Sequence, residues 1–154
     1  MQYLVSGKEM KLLDQNTSSK FHVPELVLME QAAMTFVQKL FFLQKEYHKE
    51  ISNALILCGS GNNGADGLAI ARLLMQEGLT SCVCLCGEAA GHKTTESYQT
   101  QKAICQAYQI RMEEQIPEEK FDLVIDALFG IGLSRNIEGK LAEVIRQANE
   151  MRGW

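Results

Sequence analysis

The chain reads as an α/β protein: a three-layer αβα arrangement on a mainly parallel sheet, with two extra helices ahead of the first strand. Three observations carry that reading. Ala54–Cys58 and Leu123–Leu128 are short apolar runs, which suit strands buried on both faces. Segments with helically spaced apolar residues alternate with them, the pattern of a parallel sheet covered by helices. The first run ends in a glycine-rich loop, and open sheets of this class bind ligands at the carboxyl ends of their strands.

Each element follows from local signals. Ser6-Gly7-Lys8-Glu9 is a capping-box pattern. Met10, Leu12 and Leu13 then give a short helix an apolar face, expected to stop near Asn16-Thr17-Ser18-Ser19. Pro24 suits the first turn of a second helix, since its missing N–H has no partner to lose there. Leu26, Met29, Ala33, Val37, Leu40 and Phe41 continue it at helical spacing, ending before Ile51. After the strand Ala54–Cys58, Asp66–Glu77 predicts a helix with Leu68, Ala71, Leu74 and Met75 inward and Gly78 as its stop. Residues 80–86 predict a second strand, and 93–108 a helix burying Ile104 and Tyr108. Ile110–Met112 predicts a short third strand, and Leu123–Leu128 another buried one. Glu138–Glu150 predicts a last helix, marked by Leu141, Val144, Ile145 and Ala148. No repeat or linker interrupts this order, so residues 1–154 are taken as one domain. An alternating fold would place a strand after the last helix, so the domain is expected to be cut short at its C-terminal end.

The bulk numbers exclude some classes. A net charge of −4 with scattered Lys and Arg argues against a nucleic-acid surface. No apolar run reads as long enough to span a bilayer, and no membrane contact is expected. The five cysteines are an odd number without a secretory signal, which points to a reducing cytoplasm. Cys82, Cys84 and Cys86 alternate, so a strand places all three on one face. A zinc site is the sharper reading of that spacing, and small buried core residues the better one.

The richest segment is Cys58-Gly59-Ser60-Gly61-Asn62-Asn63-Gly64-Ala65-Asp66-Gly67. Gly59, Gly61 and Gly64 match G-x-G-x-x-G between a strand and a helix, the Rossmann-like position for an anion. The acid that holds a ribose in ordinary dinucleotide sites should follow about 20 residues later. Glu88 is the nearest candidate and lies past a glycine. The loop instead carries Asn62, Asn63 and Asp66, compact groups that can bind sugar hydroxyls, an amide or a hard cation through oxygen. The alternative is structural: asparagines in left-handed turn geometry, with Asp66 capping the helix.

Asp126 interrupts the apolar strand before Phe129-Gly130-Ile131-Gly132-Leu133-Ser134-Arg135. A carboxylate buried there is costly unless paired or bound to a cation. If this strand neighbours the first, in a 3-2-1-4 order, the two loops face each other across the topological switch point. Asn63 and Asp126 can then share one cation, and Gly130 and Gly132 allow backbone to approach a ligand. Arg135 can meet a phosphate. The competing readings are a structural Asp126 and an Arg135 paired with Glu138.

The residues now resemble a known family, the YjeF N-terminal domain, which includes the NAD(P)HX epimerases. Tyr3–Met10 and Val27–Ala33 look like its N-terminal helices. Gly59–Gly67 resembles its GNNGGDG loop, and Asp122–Leu133 its DALFGTGL segment. The resemblance implies an isomerase that interconverts the R and S forms of hydrated NADH and NADPH in nicotinamide nucleotide repair. It implies a potassium ion held by Asn63 and Asp126. It also implies nucleotide contacts from Asn62, Asn63, Gly64, Ala65 and Asp66, and from Gly130, Ile131, Gly132, Leu133, Ser134, Arg135 and Asn136. A dehydratase, fused or separate, would take the product. Two departures matter. Ala65 replaces a glycine of the loop, which is tolerable if its backbone needs no positive φ. Family members also continue with a D-I-P-S-G-like segment bearing an aspartate for substrate and a serine for potassium. The catalytic aspartate is therefore expected beyond Trp154, and this chain alone is expected to be short of full activity. Two other functions compete: a non-catalytic nucleotide- or RNA-binding module, and an ordinary NAD-dependent oxidoreductase using Glu88. The N-terminal helices, with Leu28, Phe36, Phe41 and Phe42, suggest a homodimer contact or simple packing on their own sheet.

Overall fold

The computed structural model describes residues 5–131, 133 and 136–151. Two helices, α1 (Gly7–Phe21) and α2 (Glu25–Glu46), precede the first strand, β1 (Asn53–Cys58). There follow α3 (Asn62–Gln76), β2 (Thr80–Cys84), a short α4 (Cys86–Ala89), α5 (Glu96–Ala107), β3 (Arg111–Glu113), β4 (Leu123–Ala127) and α6 (Gly139–Glu150). The four strands form one parallel sheet in the order β3-β2-β1-β4. β1 is central, with Leu57 opposite Cys84 on one side and Asp126 on the other. This is the 3-2-1-4 order, and it puts the switch point between β1 and β4.

Strand residues alternate between two cores, because successive side chains leave opposite faces of a sheet. Ala54, Ile56, Val83, Ile125 and Ala127 pack under α2, α3 and α5. Leu55, Leu57, Cys82, Cys84 and Leu128 pack on the other face with Leu141 of α6. The three layers are those the sequence predicts. Cys86 shares the second core, so the apolar reading of the cysteine triplet holds. All five cysteines are unpaired and buried.

Several boundaries differ, each for a local reason. α1 runs through Asn16–Ser19 to Phe21 and ends at His22, whose φ is 56°. Polar residues weaken a helix without breaking it, and the Thr17 hydroxyl donates to the Leu13 carbonyl within the helix. α3 starts at Asn62, four residues earlier than expected, so the glycine turn is shorter than its composition suggests. β2 stops at Cys84, and Cys86 opens α4 instead of ending the strand. α5 is rotated from the expected face: Tyr98, Gln101 and Cys105 are buried, Ile104 is half-buried and Tyr108 exposed. The Cys105 thiol donates to the Leu68 carbonyl of α3, which sets that rotation.

One expectation about length is corrected. α2 has 22 residues and is apolar enough to cross a bilayer by length and composition. Its few charges are spread out, and no Pro or Gly breaks it. Met29, Ala33, Val37 and Leu40 form a stripe that packs into the core beside α3, the placement of a core helix. Arg72 of α3 ties the two helices through the Glu30 carboxylate, at 2.5 Å.

Candidate functional site

The loop after β1 is held by close backbone approaches that only glycine permits. The Gly59 N–H donates to the Ala127 carbonyl at 3.0 Å, and a Cβ on Gly59 would collide with the Leu128 carbonyl oxygen. A Cβ on Gly64 would strike the Gly59 carbonyl. The chain therefore turns in three residues and enters α3 at once. Gly61 is the N-cap and brings no side-chain cap, so the first N–H groups of α3 lack a side-chain acceptor. Such an end attracts an anion through its free donors and its dipole.

The loops after β1 and β4 enclose a cavity of about 420 Å³ at the switch point. Ser60, Gly61, Asn62 and Asn63 form one wall, and Phe129, Gly130, Ile131 and Leu133 another. Asn63 joins the two: its Nδ2 donates to the Phe129 carbonyl at 3.1 Å. A Cβ on Gly130 would lie 3.5 Å from that of Asn63, so the second loop passes closely over the first. The facing loops expected from strand order are present.

The expected site residues divide. Asn62, Asn63, Gly130, Ile131 and Leu133 line the cavity. Asn136 lines an adjoining depression of about 260 Å³. Gly64 and Ala65 are buried inside the helix start and support the wall from behind. Ala65 lies in regular helix without a positive φ, so the missing glycine costs no strain there. Gly132, Ser134 and Arg135 lie outside the described residues, as does any pairing of Arg135 with Glu138. The structural alternative for the asparagines does not hold, since both sit in the first turn of α3 without positive φ. Nor does Asp66 cap the helix; it is the fifth residue of α3.

Asp66 is half-buried and does not line the cavity. Desolvation pushes its carboxyl up to about 6, helped by the nearby charges of Glu25 on α2 and Asp14 on α1. The Asn62 side-chain amide donates to Glu25, so α2 also reaches this loop.

Asp126 corrects an expectation. It is exposed, not buried, so no desolvation cost has to be offset. Its Oδ1 accepts the Leu128 N–H at 2.9 Å, which shapes the turn out of β4. It opens on a depression of about 230 Å³ shared with Val124, Ile145 and Asn149. Leu128 stands in the wall of both that depression and the main cavity. Among the described residues, no three His, Cys, Asp or Glu side chains gather as a metal-binding group.

Glu88 does not line the main cavity. Its carboxylate pairs with Lys102 of α5 at 2.6 Å, which removes the ribose acid from the oxidoreductase reading. Sequence reasoning also missed cavity residues: Ser60, Gly87, His92, Phe129 and Leu141. Gly87 had a signal, a glycine at the end of a strand. His92 had none, being a lone histidine in a polar loop.

Residues 25–153 match the family described as YjeF-related protein N-terminus. The chain is 37% identical over 150 residues to a protein of Lentilactobacillus buchneri named NAD(P)H-hydrate epimerase, covering 97% of this chain and 67% of that one. It is 38% identical over 146 residues to a protein of the same name from Limosilactobacillus fermentum, covering 94% and 67%. The chain thus spans about two thirds of the length of these relatives. Among solved structures, the crystal structure of yeast ynu0 superposes with a TM-score of 0.78 at 21% identity, covering 97% of this chain and 68% of that one. That likeness concerns the fold.

Proposed function

This chain belongs to the YjeF-related N-terminal family, and on that footing we propose that it is an NAD(P)H-hydrate epimerase, interconverting the R and S forms of hydrated NADH and NADPH. Relatives of that name cover nearly the whole chain at 37 and 38% identity. The observation that carries the reading is the uncapped amino end of α3 facing a cavity at the switch point, with Asn63 tied across it to the second loop. A dinucleotide needs such an anion site beside room for its ring and sugars.

The residues divide the work by their chemistry. The first N–H groups of α3 take phosphate oxygens, and the Asn62 and Asn63 amides orient sugar or carboxamide groups. Phe129, Ile131 and Leu133 cover the nicotinamide side with apolar surface. In the substrate the hydrated carbon carries a hydroxyl next to the ring nitrogen. Once the hydroxyl is protonated, lone-pair donation from that nitrogen breaks the C–O bond and releases water, leaving an iminium carbon; water adds back to the other face and gives up the proton, which inverts the centre. The protein must hold the ring still and move one proton. Among the described residues no carboxylate lines the cavity. That supports an acid–base group outside the described lining residues.

The donor set suits potassium. Asn63 offers an amide oxygen and Asp126 a carboxylate, hard oxygen ligands that stand in depressions on either side of Leu128. We propose Asn63 and Asp126 as its holders. When bound, the ion would supply positive charge that orders the two loops around the nucleotide. Five unpaired, buried cysteines support a reducing, cytoplasmic setting. Exposed Val27, Met34, Phe36 and Phe42 on α2 support a second copy as a partner. No observation favours the RNA-binding alternative.

The test supplies one epimer of NADHX or NADPHX and follows the other by chromatography. It uses this chain and a version extended by the family's next segment, each in potassium and in a bulky organic cation. Potassium-stimulated equilibration by the extended chain is expected. Equilibration by neither would reject the reading. In the extended chain Asp126→Ala should abolish the potassium stimulation, and an unchanged potassium response would remove Asp126 from the site.

A further inference from the structure

His92 is the one ionisable side chain among the described residues that line the main cavity. It lines the adjoining depression as well, so it stands on the ridge between the two. Its place is set by backbone contacts within the segment that packs on the glycine loop. The His92 N–H donates to the Gly87 carbonyl at 3.0 Å, and the Thr95 N–H to the Ser60 carbonyl at 3.1 Å. Gly87 itself packs so closely on Ser60 that a Cβ there would collide with the Ser60 backbone. The excursion from α4 to α5 is thus pinned at two points to the loop that precedes α3, and His92 sits between the pins.

We propose that His92 is a phosphate-binding residue of this site: its imidazolium meets the dinucleotide's pyrophosphate opposite the amino end of α3. The inference rests on the dinucleotide reading above. The chemistry is complementary. The helix end supplies N–H donors and partial positive charge, and a protonated imidazole supplies a full charge with two further donors. The cavity wall otherwise holds only neutral side chains among the described residues, so no carboxylate there competes for the histidine. Neighbouring charges are engaged elsewhere or lie to one side. Glu88 pairs with Lys102, and the Lys140 Nζ donates to the Ala89 carbonyl. Lys93 follows His92 in the chain on an exposed position, and Glu138 shares the adjoining depression with His92, outside the main cavity. A protonated imidazole adds a full charge to the site, which backbone donors alone do not.

The test is equilibrium binding of ADP-ribose, adenosine and inorganic pyrophosphate, by calorimetry at pH 6 and pH 8. The proteins are the unaltered chain, His92→Gln and His92→Lys. For an exposed ion pair the effect is roughly fivefold. The unaltered chain should bind ADP-ribose and pyrophosphate about that much more tightly at pH 6, with adenosine indifferent to pH. His92→Gln should be weak and flat across pH, and His92→Lys should bind tightly at both. Equal affinity and an equal pH response in His92→Gln would overturn the inference, and so would failure of the unaltered chain to bind ADP-ribose. Epimerisation is assayed separately: binding as described without epimerisation removes the enzyme reading and leaves His92 in place. Epimerisation with no effect of either substitution on ADP-ribose removes His92 alone.

Discussion

Asp66 shows how one residue's environment can be checked by titration. Its carboxyl is pushed up to about 6 by burial, then by Glu25 and Asp14. Between about pH 4 and 6 the folded state therefore holds a proton that the unfolded chain has already released. Stability attributable to this group is full below about pH 4 and is lost as pH rises through about 6. Asp66→Asn should accordingly stabilise the protein at pH 7 by roughly 1 to 2 kcal/mol, discounted for partial exposure, and by almost nothing at pH 4. Thermal unfolding at the two pH values measures this, and an equal shift at both would show that the carboxylate is not the cause. The type of residue at 66 was legible as polar and close to the loop. Its role was not, because the carboxylates that act on it come from two other helices.

At the scale of the element, the turn from β1 into α3 separates two uses of glycine. Gly59 faces the Leu128 carbonyl with no room for a methyl group, whereas nothing lies within 4 Å of a Cβ on Gly61. Gly59→Ala should cost on the order of 2 kcal/mol in denaturant unfolding, through overpacking of backbone on backbone. Gly61→Ala has an extended backbone that alanine tolerates, at φ −96° and ψ −164°. It should lower stability by less than about 1 kcal/mol, the N-cap preference for glycine over alanine, yet weaken ADP-ribose binding, because its methyl enters the cavity. A loss of stability equal to that of Gly59→Ala would contradict this division. The motif was readable as a loop, but its spacing alone does not tell a packing glycine from a ligand-facing one.

Across the whole molecule, stability is unevenly distributed. β1 is almost wholly buried between two strands, and α3 packs on it through Leu68, Ala71 and Leu74. α1 contributes no buried residue, leaves Met10, Leu12, Leu13 and Phe21 exposed, and passes the second loop where a Cβ on Gly7 would lie 3.6 Å from Ile131. Amide hydrogen exchange should protect β1 and α3 to near the global unfolding free energy. α1 should exchange through local opening many times faster. Protection of α1 equal to that of β1 would mean that its apolar face is covered in solution, by a second copy above all.

The α/β class and the ligand loop were determined by local patterning, whereas the strand order stood only as a condition until the structure supplied it. Apolar runs such as Ala54–Cys58 and the glycines at 59, 61 and 64 carry their meaning within a few residues. Helix rotation, the exposure of Asp126 and the commitment of Glu88 to Lys102 were decided only by the tertiary structure. Each depends on a partner far along the chain or on the place of a strand in the sheet. The cavity belongs to both levels. Its floor follows from the glycine pattern, whereas Phe129 and His92 enter it only because parallel pairing of β1 with β4 and the pinning of the Gly87 segment bring distant loops together.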